Sequence, residues 1–443
     1  MNRTVKHTSW LEPASSLAYA LIIALLPIHA FISTWGGTTI GPLLVWKSWK
    51  EILIALLILP LVLYCVARPA IFHQLWARPY NKLILAYLAL HIVLAVFTNT
   101  PTEAVIAGLL MNLRFFAIFI MAQIIAGSHH PLAARLKTLI PAWLLWVAVL
   151  LALLAIMQVT LLPSDFLARF GYHPGNTIAP FTLLDDTQGA LRAFATMRGP
   201  NTLGSYLLIP LAFALYNLIH RHRPRLSLVA LILTSIAILL TGSRSAWLGA
   251  LATIAALVLL TLPRRQVIKW TKIAILPTLL ITVLLLWSAI NVSSIRLAVF
   301  HSSPSDPHLF EGSTQNHIEA TAAGLAHLAR HPIGTGPGSA GPASFYSPHP
   351  NLSENYYVQI GQEVGLLGLI LFIIISLQLG RQLLRQKSHA LLASFIGISL
   401  IGMFLHSWAD DPTAMTWWGI AGLFIAPTPQ PRHNVGNNDP AKL

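Results

Sequence analysis

Apolar runs of membrane-crossing length alternate with short polar connections along nearly the whole chain. A helix needs about 20 apolar residues to cross a hydrocarbon core, and hydropathy read against that length predicts about twelve spans. Their approximate limits are Leu17 to Ile32, Glu51 to Ala67, Leu83 to Phe97, Glu103 to Ala126, Leu139 to Leu162, Asn201 to Ile219, Leu226 to Thr241, Ser245 to Leu262, Ile273 to Val292, Tyr356 to Leu379, Leu391 to Trp408 and Met415 to Ala426. The fold class this predicts is all-α: a polytopic integral membrane protein in which residues 1–443 form a single membrane domain. The first apolar run has no clean small-residue cleavage site and is followed by many others, so it reads as an anchor and not as a removed signal peptide.

Loop charge orients these spans. With "MNRTVK" on the cytoplasmic side, the connections "RPAIFHQLWARPYNK", "GSHHPLAARLK", "HRHRPR", "LPRRQVIKWTK" and "RQLLRQKSH" and the tail "PRHNVGNNDPAKL" share that side, and each carries Lys or Arg. The opposite connections include "TNTPTE" and "ADDPTA", which carry neither. Both termini are therefore expected in the cytoplasm by the positive-inside rule, with the loop holding Lys47 and Lys50 as the exception. Two outer-face connections, 163–200 and 293–355, are much longer than a tight turn and hold Gly, Pro and His clusters that the spans lack. Loops of that length in compact proteins are usually functional or disordered.

Composition narrows the class. Of 443 residues, 55% are hydrophobic and only 9% charged, which excludes a water-soluble enzyme. The net charge of +14 follows from topology and implies a lipid bilayer, with no nucleic acid as partner. The single cysteine, Cys65, lies in an apolar run, so neither a disulfide framework nor a CxxC metal pattern exists. Asp185–Asp186 and Asp410–Asp411 are paired acids without a His or third acid at ligand spacing, and they read as solvated loop acids. No cofactor or metal is expected.

Polar residues that defy the membrane setting carry the remaining information. Arg192 and Arg198 in "RAFATMRGPNTLGSYLLIP", and Arg244 in "LLTGSRSAWLGAL", fall on the outer side against the positive-inside trend. A guanidinium forks phosphate oxygens with two parallel hydrogen bonds, so such a cluster suits a diphosphate head group. The plainer reading of each alone is a snorkelling side chain or one held by a lipid phosphate. Arg114 lies mid-span and must have a partner, and a structural ion pair is the preferred reading. The run "HPIGTGPGSAGPAS" lacks the GK[ST] ending of a nucleotide loop and reads as tight turns returning the chain to the membrane, although its backbone amides could receive an anion.

Glu354 precedes Asn355 and Tyr356 at the start of a span, five residues after His349. A carboxylate at a helix start is kept ionised by the helix dipole and can accept a proton; its plain alternative is an N-cap, a role Ser353 or Asn351 could fill as well. Glu363, deeper in the span, reads as a helix-packing contact.

"RAFATMRGPNTLGSYLLIPL", "LLTGSRSAWLGAL", "ARHPIGTGPGSAG" and "SENYYVQIGQEVGLLGLILF" occur in the order and setting of the O-antigen ligase and polymerase superfamily of bacterial membrane glycosyltransferases, which the chain resembles from about residue 190 to 380. The resemblance implies transfer of a glycan from an undecaprenyl diphosphate carrier to lipid A core or another glycan acceptor, on the outer face of the bacterial inner membrane, without nucleotide sugar or metal. It implies that Arg192 or Arg198, together with Arg244, holds the diphosphate, that Asn355 and Tyr356 contact substrate, and that Glu354 or His349 acts as base. Many members carry a histidine where this chain has Glu354, so a relative acting on other surface polysaccharides fits as well as a lipid A core ligase. The expected activity is a surface polysaccharide ligase, with a polymerase of lipid-linked repeat units as the alternative. A secondary transporter or flippase would also explain many spans with buried charge.

Overall fold

The computed structural model describes residues 11–128, 130–184, 190–269 and 313–426, with isolated positions between 272 and 292. Helices lie in each span expected from hydropathy except Ile273 to Val292, which lies largely outside the described residues; the span Leu391 to Trp408 is helical only as far as Ile401. In chain order they are α1 (Leu11–Leu25), α2 (His29–Thr39), α3 (Leu43–Lys47), α4 (Trp49–Ala67), α5 (Pro69–Trp76), α6 (Pro79–Phe97), α7 (Thr102–Ala126), α8 (Pro131–Thr160), α9 (Pro200–Ile219), α10 (Pro224–Leu240), α11 (Arg244–Thr261), α12 (Ser313–Arg330), α13 (Tyr356–Arg385), α14 (His389–Ile401) and α15 (Asp411–Ile425). Among the described residues, 8 helical segments are long and apolar enough to cross a membrane, with α1 and α2 counted as one through the turn Leu26–Ile28; α10 and α14 are shorter apolar helices. The protein is an all-helical, polytopic integral membrane protein.

Packing centres on α9, which touches α8, α10, α11, α14 and α15. Its small residues let neighbours approach: a side chain at Gly204 would meet Ala246 Cβ of α11 at 2.5 Å. Close backbone approach of this kind drives helix association where lipid tails are as apolar as leucine. A second contact buries aromatics between α7 and α15, where Trp418 lies 4.8 Å from Phe116 and 5.3 Å from Phe119 between ring centroids.

Helix α13 breaks after two turns. Gly365 has φ 71° and ψ −175°, which ends the first helical stretch and frees the carbonyls before it. At membrane depth such groups must find protein partners. The glycine run supplies them: Thr335 N–H donates to Gln362 O at 2.9 Å and Gly336 N–H to Glu363 O at 2.8 Å, while Leu366 N–H returns a bond to Pro332 O at 2.9 Å. Fully buried Glu363 accepts from Gly338 N–H at 3.0 Å and from the Asn112 side-chain amide of α7. The anion received by this run is thus the chain's own carboxylate, and Glu363 has the packing role expected of it. Gly334 and Gly365 meet so closely that a side chain on either would strike the other strand's backbone within 2.6 Å.

A buried ionic cluster ties α2, α4, α7 and α15 together. Arg114 donates from Nη1 to Glu51 Oε1 at 2.9 Å and from Nη2 to Asp411 Oδ1 and Ala409 O. Lys50 Nζ sits 2.9 Å from Asp411 Oδ2 and 3.1 Å from Glu51 Oε2. The Trp49 indole donates to His29 Nδ1 at 3.0 Å, and His29 Nε2 lies 3.1 Å from Lys50 Nζ and 3.4 Å from Asp411 Oδ2. Arg114 has the structural ion pairs expected of it. The Asp410–Asp411 expectation is corrected: Asp411 is 5% exposed and neutralises two buried cations, and Asp410 accepts from Thr202 Oγ1 at 3.3 Å and Thr413 Oγ1 at 3.2 Å. Withdrawal from water pushes the Asp410 pKa up, and the Arg198 charge offsets part of that rise. Lys50 is 2% exposed inside this cluster, so its breach of the positive-inside rule has a pairing cause. Asp185 and Asp186 lie outside the described residues.

Candidate active site

Three sequence-distant segments are folded into one cavity. The first is the strap 190–200. Gln158 of α8 pins it, accepting from Ala195 N–H at 2.7 Å and Phe194 N–H at 3.2 Å and donating to Ala195 O at 2.9 Å. Ala193 N–H donates to Leu240 O at 2.9 Å, so the strap is held against the end of α10. Arg192 therefore reaches the last turn of that helix, donating from Nε to Thr241 O at 2.8 Å and from Nη2 to Asn201 Oδ1 at 3.1 Å. A cation at a helix C-terminus satisfies a carbonyl with no intrahelical donor and complements the helix dipole.

The second segment is the turn between α10 and α11. Gly242 takes φ 60°, the left-handed conformation that closes a helix tightly, and a side chain there would press on Leu184 at 2.8 Å and Arg192 Nε at 3.4 Å. The turn is so short that Arg244 becomes the first residue of α11, with Ser243 at the N-cap and no side-chain capping bond. A cation at a helix N-terminus opposes the dipole, at a cost of about 0.3–1 kcal/mol. Arg244 is thus placed against helix stability, beside amides that favour an anion.

The third segment crosses the start of α13. Asn355 is its N-cap: Oδ1 accepts from Tyr357 N–H at 3.0 Å and Val358 N–H at 3.1 Å, and Nδ2 donates to Met403 O at 2.9 Å. The cap is therefore neither Ser353 nor Asn351, and Glu354 is left free of that role. Glu354 has φ 52°, a left-handed conformation that costs a non-glycine residue of order 1–3 kcal/mol and turns its side chain toward α12. There its Oε2 lies 3.5 Å from His317 Nδ1, with both side chains about a third exposed, at 31% and 37%.

Arg192, Asn201, Arg244, Ser245, His317 and Glu354 line one cavity of about 830 Å³, roofed by Leu325, Met403 and Phe404. A second, largely apolar groove of about 660 Å³ shares Thr321, Leu325 and Met403 with it and continues between α12, α13 and α14. Polar walls thus adjoin an apolar groove.

Placement of the other expected site residues differs. Arg198 is exposed and faces the Asp410 side, outside the cavity lining. His349 is exposed in the turn after Gly341–Tyr346 and also lies outside that lining. Tyr356 is fully buried in the core, its ring 5.6 Å from Phe372, so the structure gives it a packing position; Tyr357 lines the apolar groove instead. His317 escapes the sequence reading because 293–355 is taken there as one long connection, and the helix Ser313–Arg330 that carries it is seen only in the structure. Its only sequence signal is a histidine inside a long loop.

Residues 229–373 match the family model described as O-Antigen ligase, a stretch that includes both Arg244 and Glu354. Over that stretch the chain is similar to the O-antigen ligase family. It is also similar to an O-antigen polymerase of Salmonella muenchen, at 26% identity over 286 residues, covering 64% of this chain and 69% of the relative.

Proposed function

We propose that the protein is a membrane glycosyltransferase that moves a glycan from an undecaprenyl diphosphate carrier to an acceptor hydroxyl on the outer face of the bacterial inner membrane. The observation that carries this reading is the convergence of Arg192, Arg244 and Glu354, from segments 52 and 110 residues apart by their numbers in the chain, on one cavity that adjoins an apolar groove. Arg192 and Arg244, with the amides at the start of α11, bind the diphosphate. The groove between α12, α13 and α14 takes the first isoprene units of the carrier. The acceptor oxygen attacks the anomeric carbon, the bond from that carbon to the diphosphate oxygen breaks, and its electron pair leaves on the diphosphate. The acceptor's proton goes to the Glu354 carboxylate, which His317 orients and shields. Arginine charge stabilises the leaving group as negative charge develops on it.

A polymerase reading, in which the acceptor is a second carrier-bound repeat unit, is favoured by the name of the Salmonella relative and by the glutamate at position 354. Incubating purified protein in EDTA with an undecaprenyl diphosphate-linked oligosaccharide, with and without lipid A core, separates the two. One transfer onto lipid A core supports the ligase, and a ladder of carrier-linked product without added acceptor supports the polymerase. No product under either condition sinks both.

A further inference from the structure

A second polar cavity lies at the other end of the bundle. Helix α9 starts at the candidate active site with Pro200 and Asn201 and ends at Ile219, its 20 residues spanning about 30 Å at 1.5 Å per residue. Beyond that end, the α9–α10 turn, the α13–α14 turn and the start of α8 enclose a cavity of about 570 Å³. Lys137, Arg221, Arg223 and Lys387 line it, and the lining holds no Asp or Glu. Pro141, Phe213 and Phe424 form an apolar wall beneath these cations.

We propose that this cavity binds the phosphate headgroup of an anionic membrane lipid, with the lipid's acyl chains against the apolar wall. Four cations from three separate connections converge on one space, and none forms an ion pair among the described residues. Like charges brought together repel, and an anion between them reverses the sign of each interaction. Cations that only set topology have no reason to converge; they serve equally well spread over a solvated face. The turns hold them there at a backbone cost, since Arg221, Arg223 and Lys387 all take left-handed φ values of 57°, 47° and 56°. The first turn of α14 also borders the cavity, and its N-cap side chain does not satisfy the helix's amides. Those amides add to the attraction for phosphate. The apolar wall selects the source: a free phosphate ion gains nothing from Phe213 and Phe424, whereas a lipid fills both halves. Basic pockets between spanning helices at a membrane surface bind phospholipid head groups in this way.

The test uses the full-length protein in detergent, with bound lipid counted by native mass spectrometry. Phosphatidylglycerol, phosphatidylcholine and inorganic phosphate are the probes. Wild-type protein is expected to retain phosphatidylglycerol at least tenfold better than phosphatidylcholine, with inorganic phosphate at millimolar concentration failing to displace it. The Arg221→Gln, Arg223→Gln, Lys387→Gln triple variant loses that preference. Arg264→Gln, Arg265→Gln, Lys269→Gln removes the same number of charges at the same end of the bundle, outside the cavity, and keeps it. Equal loss in both triple variants, equal retention of the two lipids, or displacement by inorganic phosphate would overturn the proposal. If the cavity triple variant does not fold, Arg221→Gln alone, in an exposed turn, carries the same comparison. The result is independent of glycan transfer, because the cavity and the candidate active site share no residue.

Discussion

Two clusters in this molecule are built from the same side-chain types and end as opposites. Around Arg114, a histidine, a lysine and two carboxylates meet inside the bundle, and each charge faces another of opposite sign within about 3 Å. Around Arg244, a second arginine, a histidine and one glutamate stand on the walls of an 830 Å³ cavity. The first arrangement leaves no room for a ligand; the second has the room, and its Arg244 sits at the end of a helix where its charge is unfavourable. A charge in a membrane protein therefore points to function when it lines a cavity with room for a ligand, and to structure when the fold fills the space around it with opposite charge.

Substitutions sharpen this contrast, because one cluster should lose activity and the other stability. The largest effect is expected from Glu354→Gln, which keeps shape and removes the proton acceptor. Transfer in the carrier-glycan assay should fall by about 10²–10⁴-fold, with the melting temperature held. Arg114→Ala should do the reverse, leaving Glu51 and Asp411 to share Lys50, one buried negative charge in excess, and destabilising the fold by about 3–5 kcal/mol. Thermal unfolding in detergent measures it, and a stable Arg114→Ala protein with lost activity would move Arg114 into the functional class.

Arg244→Ala is expected next, with transfer reduced by about 10²–10³-fold. Its loss of stability should be smaller than that of Arg114→Ala, since removing a cation from a helix N-terminus offsets part of what the contacts of Arg244 supply. Glu354→Asn tests the backbone argument separately. Asparagine adopts the left-handed conformation readily, so the variant should melt at or above wild type while being as inactive as Glu354→Gln.

The smallest expected effect is a pH dependence at His406. Burial, helped by the His317 charge, pushes its pKa down from 6.5 to about 4. The unfolded chain then binds a proton that the folded protein refuses between those values, so this group makes stability fall as pH drops from 6.5 to about 4, by at most about 1.4 kcal/mol per unit. His406→Asn should flatten that slope in a pH series of melting temperatures.

Much of the architecture was legible in the chain because it depends on local quantities. Span positions follow from the hydropathy of about 20 consecutive residues, and helix is the form that satisfies each backbone group within its own segment. Arg192, Arg244 and Glu354 stood out for a similar reason, since a charge beside an apolar run is conspicuous one residue at a time. Local reading failed where partners come from elsewhere. Asp411 reads as a loop acid until Lys50 and Arg114 arrive from other helices. "GTGPGSAG" reads as a set of turns, and its amides prove to satisfy carbonyls released by a kink at Gly365.

The sequence by itself determined a polytopic helical membrane protein, the residues whose charge is out of place, and a resemblance to the O-antigen ligase family over part of the chain. Only the tertiary structure decided that Arg192 and not Arg198 shares a cavity with Arg244, that Glu354 and not His349 faces it, that Tyr356 is core, and that His317 stands beside the glutamate. Hydropathy and charge are properties of a segment and add along the chain. A cavity is a property of distances between segments, fixed by how helices cross and where a left-handed residue turns its side chain.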